Sequence, residues 1–96
     1  MKKISDLKLG DECYRVYDNG CLELLYLLNN HKEKSGMNTL IFQSKYKQVY
    51  TVYQFDNENY IMDYHYTIFV NKQDAIDDLN KIKNRIDESI KKLMND

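Results

Sequence analysis

The stretch that decides the fold is YIMDYHYTIFVNKQDAIDDL, residues 60–79. Up to Val70 its apolar residues recur at every second position, and from Asn71 onward they recur at every third or fourth position. A period of two is typical of a strand with one packed face, whereas a period near 3.6 is typical of an amphipathic helix. The sequence therefore predicts an α+β fold, in which a compact run of strands is followed by one long C-terminal helix.

Upstream of this stretch, alternating apolar residues between turn signals predict about five strands in a small antiparallel barrel or curved sheet. The predicted strands span residues 12–18, 21–29, 39–44, 48–55 and 60–70. Residues 1–70 would then form the sheet or barrel and residues 71–95 the helix, within a single domain of 96 residues. A chain this short buries only somewhat more than ~60% of its unfolded surface, so one modest core is expected.

Two connections and one apolar run shape the predicted sheet. Asn19-Gly20 is a strong signal for a two-residue hairpin turn. The run Leu22–Leu28 is apolar on both faces and could be a strand or a short helix, but the hairpin turn before it favours a strand. The polar residues Asn30–Asn38 predict a mobile loop.

The helix is well specified by the residues at its two ends. Asn71 is a favoured N-cap residue, and Asp74 occupies the third helical position of a capping-box-like arrangement. Lys91 and Lys92 lie near the negative end of the helix dipole. The apolar stripe of the helix consists of Ile76, Leu79, Ile82, Ile86, Ile90 and Leu93.

The cysteines and the N-terminal segment indicate a cytoplasmic protein with free thiols. A two-residue turn would pair Asp18 with Cys21 and leave Cys13 opposite Tyr26, too far from Cys21 for a disulfide. Free thiols are typical of a reducing cytosol. The charged segment Met1–Lys8 has no apolar segment behind it, and nothing approaches the ~20 apolar residues of a membrane span.

No motif predicts catalysis, a metal site or a cofactor. His65 with Asp63 could be a base and its orienting group or two metal ligands, but spacing places no third ligand and an exposed structural pair is favoured. The 14 basic and 15 acidic side chains give a net charge of -1 without long blocks of one sign. A protein that neutralises many phosphates needs a clearer basic excess. A non-enzymatic protein without a metal or cofactor is therefore expected.

Two segments resemble a known type of small protein. The phrase DLKLGDECY, Asp6–Tyr14, resembles the opening of many SH3-like barrels, where a Leu-x-x-Gly-Asp-like turn introduces the first strand. The phrase YTIFVNKQDA, Tyr66–Ala75, is a strand running directly into a capped helix. Together they resemble the barrel-plus-helix proteins of phages and mobile elements of low-GC bacteria. That resemblance implies an SH3-like barrel and a protein that binds and inhibits a bacterial defence protein, as anti-CRISPR proteins do.

The nine tyrosines suggest a recognition surface. Tyrosine suits strands and half-buried positions, but it is also enriched in protein interfaces. The predicted partner-binding residues are Tyr46, Tyr50, Lys45 and Lys47, together with Lys32 and Lys34 in the polar loop. The partner would be a bacterial host protein. The alternative is a nucleotide or single-stranded nucleic acid that stacks on the tyrosines while the lysines neutralise its phosphates.

The predicted helix is longer than a small barrel. From Lys72 to Met94 it would measure roughly 35 Å, whereas strands of five or six residues make a body about 17–20 Å across. The last turns are therefore expected to project with Ile86, Ile90 and Leu93 exposed. Because the apolar stripe is close to a heptad repeat, these three residues are the predicted interface of a homodimer.

Overall fold

The computed structural model describes residues 1–95 of the chain. Within them the protein has a 3-10 turn, six strands and one helix. Their bounds are Ile4–Asp6, β1 Glu12–Tyr17, β2 Leu22–Lys32, β3 Met37–Ser44, β4 Val49–Phe55, β5 Tyr60–Met62, β6 Tyr66–Phe69 and α1 Lys72–Met94. The strands form one antiparallel sheet in the order β4-β3-β2-β1-β6-β5. Since β4 and β5 approach each other, the sheet is a nearly closed barrel, and the predicted α+β fold is confirmed.

The first hairpin has a three-residue turn, which changes the predicted register. The Tyr17 N–H donates to the Cys21 carbonyl at 2.9 Å, and the Gly20 N–H donates to the Tyr17 carbonyl at 2.9 Å. Gly20 has a φ of 88°, a left-handed conformation that glycine adopts without steric cost. Cys13 therefore pairs with Leu25, one residue short of the predicted partner. The predicted two-residue turn is wrong because Asn-Gly also fits this longer turn.

The strands on either side of the predicted mobile loop are longer than expected. β2 continues to Lys32 and β3 begins at Met37, which leaves only residues 33–36 as a turn. The loop predicted over Asn30–Asn38 is therefore wrong. One polar side chain of this stretch is fully buried and is held by two hydrogen bonds: the Asn38 Nδ2 donates to the Gln54 carbonyl at 3.3 Å and also to the Asp56 carboxylate.

The single strand predicted over residues 60–70 is a hairpin. β5 and β6 pair antiparallel, with Ile61 opposite Ile68, and the Asp63 N–H donates to the Tyr66 carbonyl at 2.9 Å. Apolar alternation runs on without interruption through both arms, so the pattern alone could not reveal the turn. The sheet gains its sixth strand from this division.

The core lies inside the barrel and one end of it is covered by the N-terminal segment. Ile4 and Leu7 are buried there, and the Ile4 N–H donates to the Glu58 carbonyl at 2.9 Å. The other buried apolar residues of this cluster are Cys13, Leu25, Leu27, Leu40, Phe42, Val52, Ile61, Ile68 and Val70. Every strand contributes to this cluster, and β2 and β3 each contribute two alternate residues, as a period of two requires.

The helix starts where predicted, but the side chain of the residue just before it has another role than capping. Asn71 occupies the N-cap position without a side-chain capping bond. Its Oδ1 accepts from the Lys2 N–H at 3.1 Å and its Nδ2 donates to the Lys2 carbonyl at 2.8 Å. The predicted capping by the Asn71 side chain is therefore wrong, because that side chain holds the N-terminal segment against the start of α1.

Only the first half of α1 packs on the barrel. Ala75 and Ile82 are buried against Val16 on the outer face of β1, with Tyr14, Phe69 and Leu79 around them. Ile86, Ile90 and Leu93 are 49%, 50% and 76% exposed. The molecule measures 55 × 28 × 22 Å. The expected projection of the last turns is confirmed, and no helix within residues 1–95 is long and apolar enough to cross a membrane.

The two cysteines provide a chemical test of this fold. Both are free, as predicted, with Cys13 buried and Cys21 exposed. Burial raises the pKa of the Cys13 thiol to about 12, so that at pH 8 it is neither accessible nor ionised. A disulfide reagent should therefore titrate one thiol in the native protein and two in urea. Two rapidly reacting thiols in the native protein would contradict the burial of Cys13, and a Cys21→Ser variant identifies the reactive group.

Candidate binding surface along the edge of strand β4

An arginine is buried at the end of the barrel opposite the N-terminal segment. Arg15 is only 2% exposed, and its guanidinium carbon lies 3.9 Å from the centre of the Tyr50 ring, 5.0 Å from that of Tyr66 and 5.1 Å from that of Tyr17. Its charge is compensated by an ion pair with Glu23, the residue opposite it on β2. Arg15 thereby joins β1 to β4 and β6 across the inside of the barrel.

This arrangement follows from strand alternation. Arg15 shares the inward face of β1 with the buried Cys13, and rings from β4 and β6 offer their negative faces to its cation. The Tyr50 hydroxyl donates to Gln48 Oε1 at 2.7 Å. Burial raises the pKa of Tyr66, and so does the neighbouring Asp63, which accepts a hydrogen bond from the Tyr66 hydroxyl at 3.1 Å.

The structure does not bring all the predicted binding residues together. Lys32 and Lys34 lie at the β2–β3 connection, at the opposite end of β3 from Lys45 and Lys47. Lys32 forms an ion pair with Asp56. Lys32 and the Asn38 amide hold the pKa of the Asp56 carboxyl below its usual value. The Lys32 ammonium group is therefore already paired within the fold.

The predicted tyrosines separate in the same way. Tyr50 packs against the core and Arg15, whereas Tyr46 is 77% exposed. Tyr46 lies in the turn between β3 and β4, where Lys47 has a φ of 62°. Of the two tyrosines, only Tyr46 is free to contact a partner.

A cleft lies beside this turn. β3 ends opposite Leu25, so that the first residues of β2 extend past it and the β3–β4 turn folds alongside them. The cleft has a volume of about 360 Å³. It is lined by Tyr17, Cys21, Leu22, Glu23, Leu24, Tyr26, Lys45 and Tyr46. Its walls are largely aromatic and aliphatic, with one acidic side chain, Glu23, and one lysine, Lys45.

Strand β4 is an edge of the sheet, and part of its backbone is unpaired. The Ser44 N–H donates to the Gln48 carbonyl at 2.9 Å, so in antiparallel alternation the even-numbered residues of β4 bond to β3 and the odd-numbered residues bond outward. The N–H of Phe55, an odd-numbered residue, fits this alternation because it donates to Gln54 Oε1 at 2.8 Å and not to β3. For Val49, Thr51 and Tyr53, no backbone bond to another strand is present within residues 1–95.

This edge lacks the usual protection against strand addition. Natural edge strands carry lysine, proline or bulges, but β4 reads VYTVYQF with no charge and no proline. Val49 and Tyr53 are 58% and 61% exposed. β5 has only three residues and meets β4 near its C-terminal end, where Gln54 Nε2 donates to the Tyr60 carbonyl at 3.2 Å. The first half of the edge is therefore open.

The pair predicted from Asp63 and His65 lies in the β5–β6 turn. Both side chains are exposed. The Asp63 carboxylate accepts from the Tyr66 hydroxyl, and the His65 ring lies edge-on to the Tyr64 ring with centroids 5.6 Å apart. Within residues 1–95 no group of three or more histidine, cysteine or acidic side chains is placed to hold a metal.

Comparisons with known proteins add no relative. No protein-family model matches the sequence, and no curated protein or solved structure matches it either. The candidate surface therefore rests on the geometry of the β4 edge and the neighbouring cleft. Sequence reasoning missed both, although the uncharged alternating run VYTVYQF was visible.

The different roles of the two tyrosines can be tested by stability. Tyr50→Ala removes a ring that packs against the core and on Arg15, so the free energy of unfolding should fall by about 2–3 kcal/mol. Tyr46→Ala removes an exposed ring and should change it by less than about 0.5 kcal/mol. Urea denaturation followed by circular dichroism measures both. Equal losses in the two variants would contradict the placement of Tyr50.

Proposed function

We propose that the protein acts without catalysis, by binding another protein through the edge of strand β4. The observation that supports this is the open backbone of Val49, Thr51 and Tyr53 beside exposed, uncharged side chains. Outward donors and acceptors repeat at every second residue, and an extended segment of another chain presents the matching groups at the same spacing. Adding such a strand would satisfy the edge and cover its apolar side chains.

Side chains next to the edge give this binding its specificity. Tyr53 and Val49 project from the outer face of β4 at strand spacing. The cleft is lined by residues of β1, β2 and the β3–β4 turn that leads into β4, and it has room for one large apolar side chain. A partner segment that runs along β4 and places a side chain in this cleft would use both features.

The partner in this proposal is a component of a bacterial defence system. This follows from the resemblance of Asp6–Tyr14 and Tyr66–Ala75 to phage and mobile-element barrel-plus-helix proteins, of which anti-CRISPR proteins are examples. Inhibition by occupying a surface requires affinity and shape, and it needs no catalytic group on the inhibitor. An open edge next to an aromatic cleft is suited to such a role.

Binding of a single-stranded nucleic acid or a nucleotide is the second candidate function. The observation in its favour is the turn Lys45-Tyr46-Lys47, in which all three side chains are exposed. Tyr46 could stack on a base while the lysines contact phosphates. Such a complex should weaken steeply between low and moderate salt, because it releases condensed counterions, whereas a strand-addition complex should change little.

Replacing Thr51 tests strand addition. Thr51→Pro removes an outward N–H of β4 without touching the bonds to β3, and proline is tolerated at sheet edges. Thr51→Ala removes the side chain and keeps the N–H. A protein captured from the bacterial host by the wild type should bind Thr51→Pro at least about tenfold more weakly, because one partner group loses its hydrogen bond, and should bind Thr51→Ala almost normally. Isothermal titration calorimetry with the purified partner gives both affinities.

Unchanged affinity of a folded Thr51→Pro variant would overturn the proposal. Equal loss in both variants would assign the contact to the threonine side chain instead of the backbone. A captured ligand whose affinity falls steeply with salt, and which is removed by nuclease, would support the second candidate function.

A further inference from the structure

The opening beside the first half of β4 has a second wall, which is the β5–β6 hairpin. Gln54 Nε2 donates to the Tyr60 carbonyl at 3.2 Å, and β5 ends two residues later, at Met62. Because β4 and β5 run in opposite directions, the end of β5 and the turn after it lie across from the open residues of β4. We call the space between these two walls the slot.

The buried arginine limits the width of the slot. The guanidinium carbon of Arg15 lies 3.9 Å from the centre of the Tyr50 ring on one wall and 5.0 Å from the centre of the Tyr66 ring at the end of the hairpin. The two ring centres are therefore at most about 9 Å apart, roughly twice the spacing of about 4.7–4.9 Å between neighbouring strands. One strand fits between walls at that separation, and two strands do not.

The far wall offers backbone groups of its own. The Asp63 N–H donates to the Tyr66 carbonyl at 2.9 Å, just after β5. The Val70 N–H donates to the Asn59 carbonyl at 3.2 Å, just before β5. In antiparallel alternation the odd-numbered residues of β5 therefore bond to β6, and the N–H and carbonyl of Met62 point across the slot towards β4. In the part of the chain that the structure describes, these two groups have no backbone partner.

We infer that the slot takes one extended segment of the partner that belongs to no sheet in the free partner. Such a segment can bond to β4 along one side and to Met62 along the other. The edge strand of a folded sheet already has one side paired, and its neighbouring strand would collide with the β5–β6 hairpin. A second copy of this chain does not fit for the same reason, because its β4 is paired with β3. The inference rests on the proposed function and names the kind of partner, a flexible loop or tail that becomes ordered on binding.

The side chains around the slot define the residues that such a segment should carry. Large exposed side chains lie on the outside of both walls, so the outward-facing residues of the segment should be apolar. Those exposed side chains are Val49, Tyr53, Met62 and Tyr64. On the inside, the charge of Arg15 is already compensated by Glu23, so no charged residue is required there. The expected segment therefore alternates apolar residues with small or uncharged polar residues.

A linear peptide provides the probe for this inference. Short random linear peptides are displayed and selected for binding to the wild type, and those that also bind Thr51→Pro are removed. The remaining peptides depend on the outward N–H of the β4 edge. If no such peptide is obtained, the proposed function is overturned together with this inference.

Matched substitutions at Met62 test the second wall. Met62→Pro removes the N–H that points into the slot and leaves the bonds between β5 and β6 in place. Met62→Leu keeps that N–H and an apolar side chain. The dissociation constant of the selected peptide should rise at least about tenfold for Met62→Pro and change less than about twofold for Met62→Leu. Isothermal titration calorimetry gives both values, and urea denaturation confirms that both variants are folded.

The outcomes separate this inference from the proposed function. Unchanged affinity of a folded Met62→Pro variant would mean that β4 alone holds the peptide, so the inference would be overturned while the proposed function would stand. Equal losses in the two variants would assign the contact to the methionine side chain and would also overturn the inference.

A second comparison needs no variant of the protein and therefore applies even if Met62→Pro does not fold. The selected sequence is made as a linear peptide and as one arm of cyclic β-hairpins that place the second arm on either of its sides. Pre-organisation normally strengthens binding, but a second arm has no room in the slot. Every hairpin should therefore bind at least about tenfold more weakly than the linear peptide. A hairpin that binds as tightly as the linear peptide would show that the slot admits two strands and would overturn the inference.

Discussion

The buried guanidinium of Arg15 is the interaction on which the shape of this molecule depends. β5 is too short to reach the first half of β4, so at that end the two edges of the sheet cannot be joined by backbone hydrogen bonds. Arg15 replaces those bonds by contacting Tyr50 from β4 and Tyr66 from β6 while Glu23 compensates its charge. A buried ion is stable only with such compensation. The barrel is thus closed by side chains where its backbone leaves it open.

Closing the barrel in this way leaves the backbone groups along the edge of β4 unpaired. An arginine inside the sheet holds the inward-facing Tyr50, but it cannot satisfy the outward donors and acceptors of the odd-numbered residues. The shortness of β5 therefore has two results. One is the open edge of β4 that we propose as a binding surface, and the other is the buried charge that stabilises the barrel. The exposed Val49 and Tyr53 lie on the open edge.

The sequence specified the type of structure better than its details. The helix predicted over residues 71–95 is observed as Lys72–Met94, because its periodicity and its terminal residues agree. The first hairpin was predicted one residue out of register, since Asn19-Gly20 fits two turn lengths that only the whole sheet can distinguish. The hairpin at residues 60–70 was predicted as one strand, since its alternation continues through the turn. Tyr50 was predicted at the surface because no local pattern reveals a buried arginine partner 35 positions earlier.

The two hydrogen bonds between the Asn71 side chain and the Lys2 backbone have a consequence for the order of folding. These residues are 69 positions apart in sequence, and Ile4 covers the barrel only when Glu58 is available to accept its N–H. Residues 2–4 are thus synthesised well before their partners and are among the last to be fixed, because closing a loop of this length costs more entropy than the nearer contacts do. The hairpins from β1 to β4 can form in chain order, whereas the end of the barrel stays uncovered until the start of the helix has been synthesised.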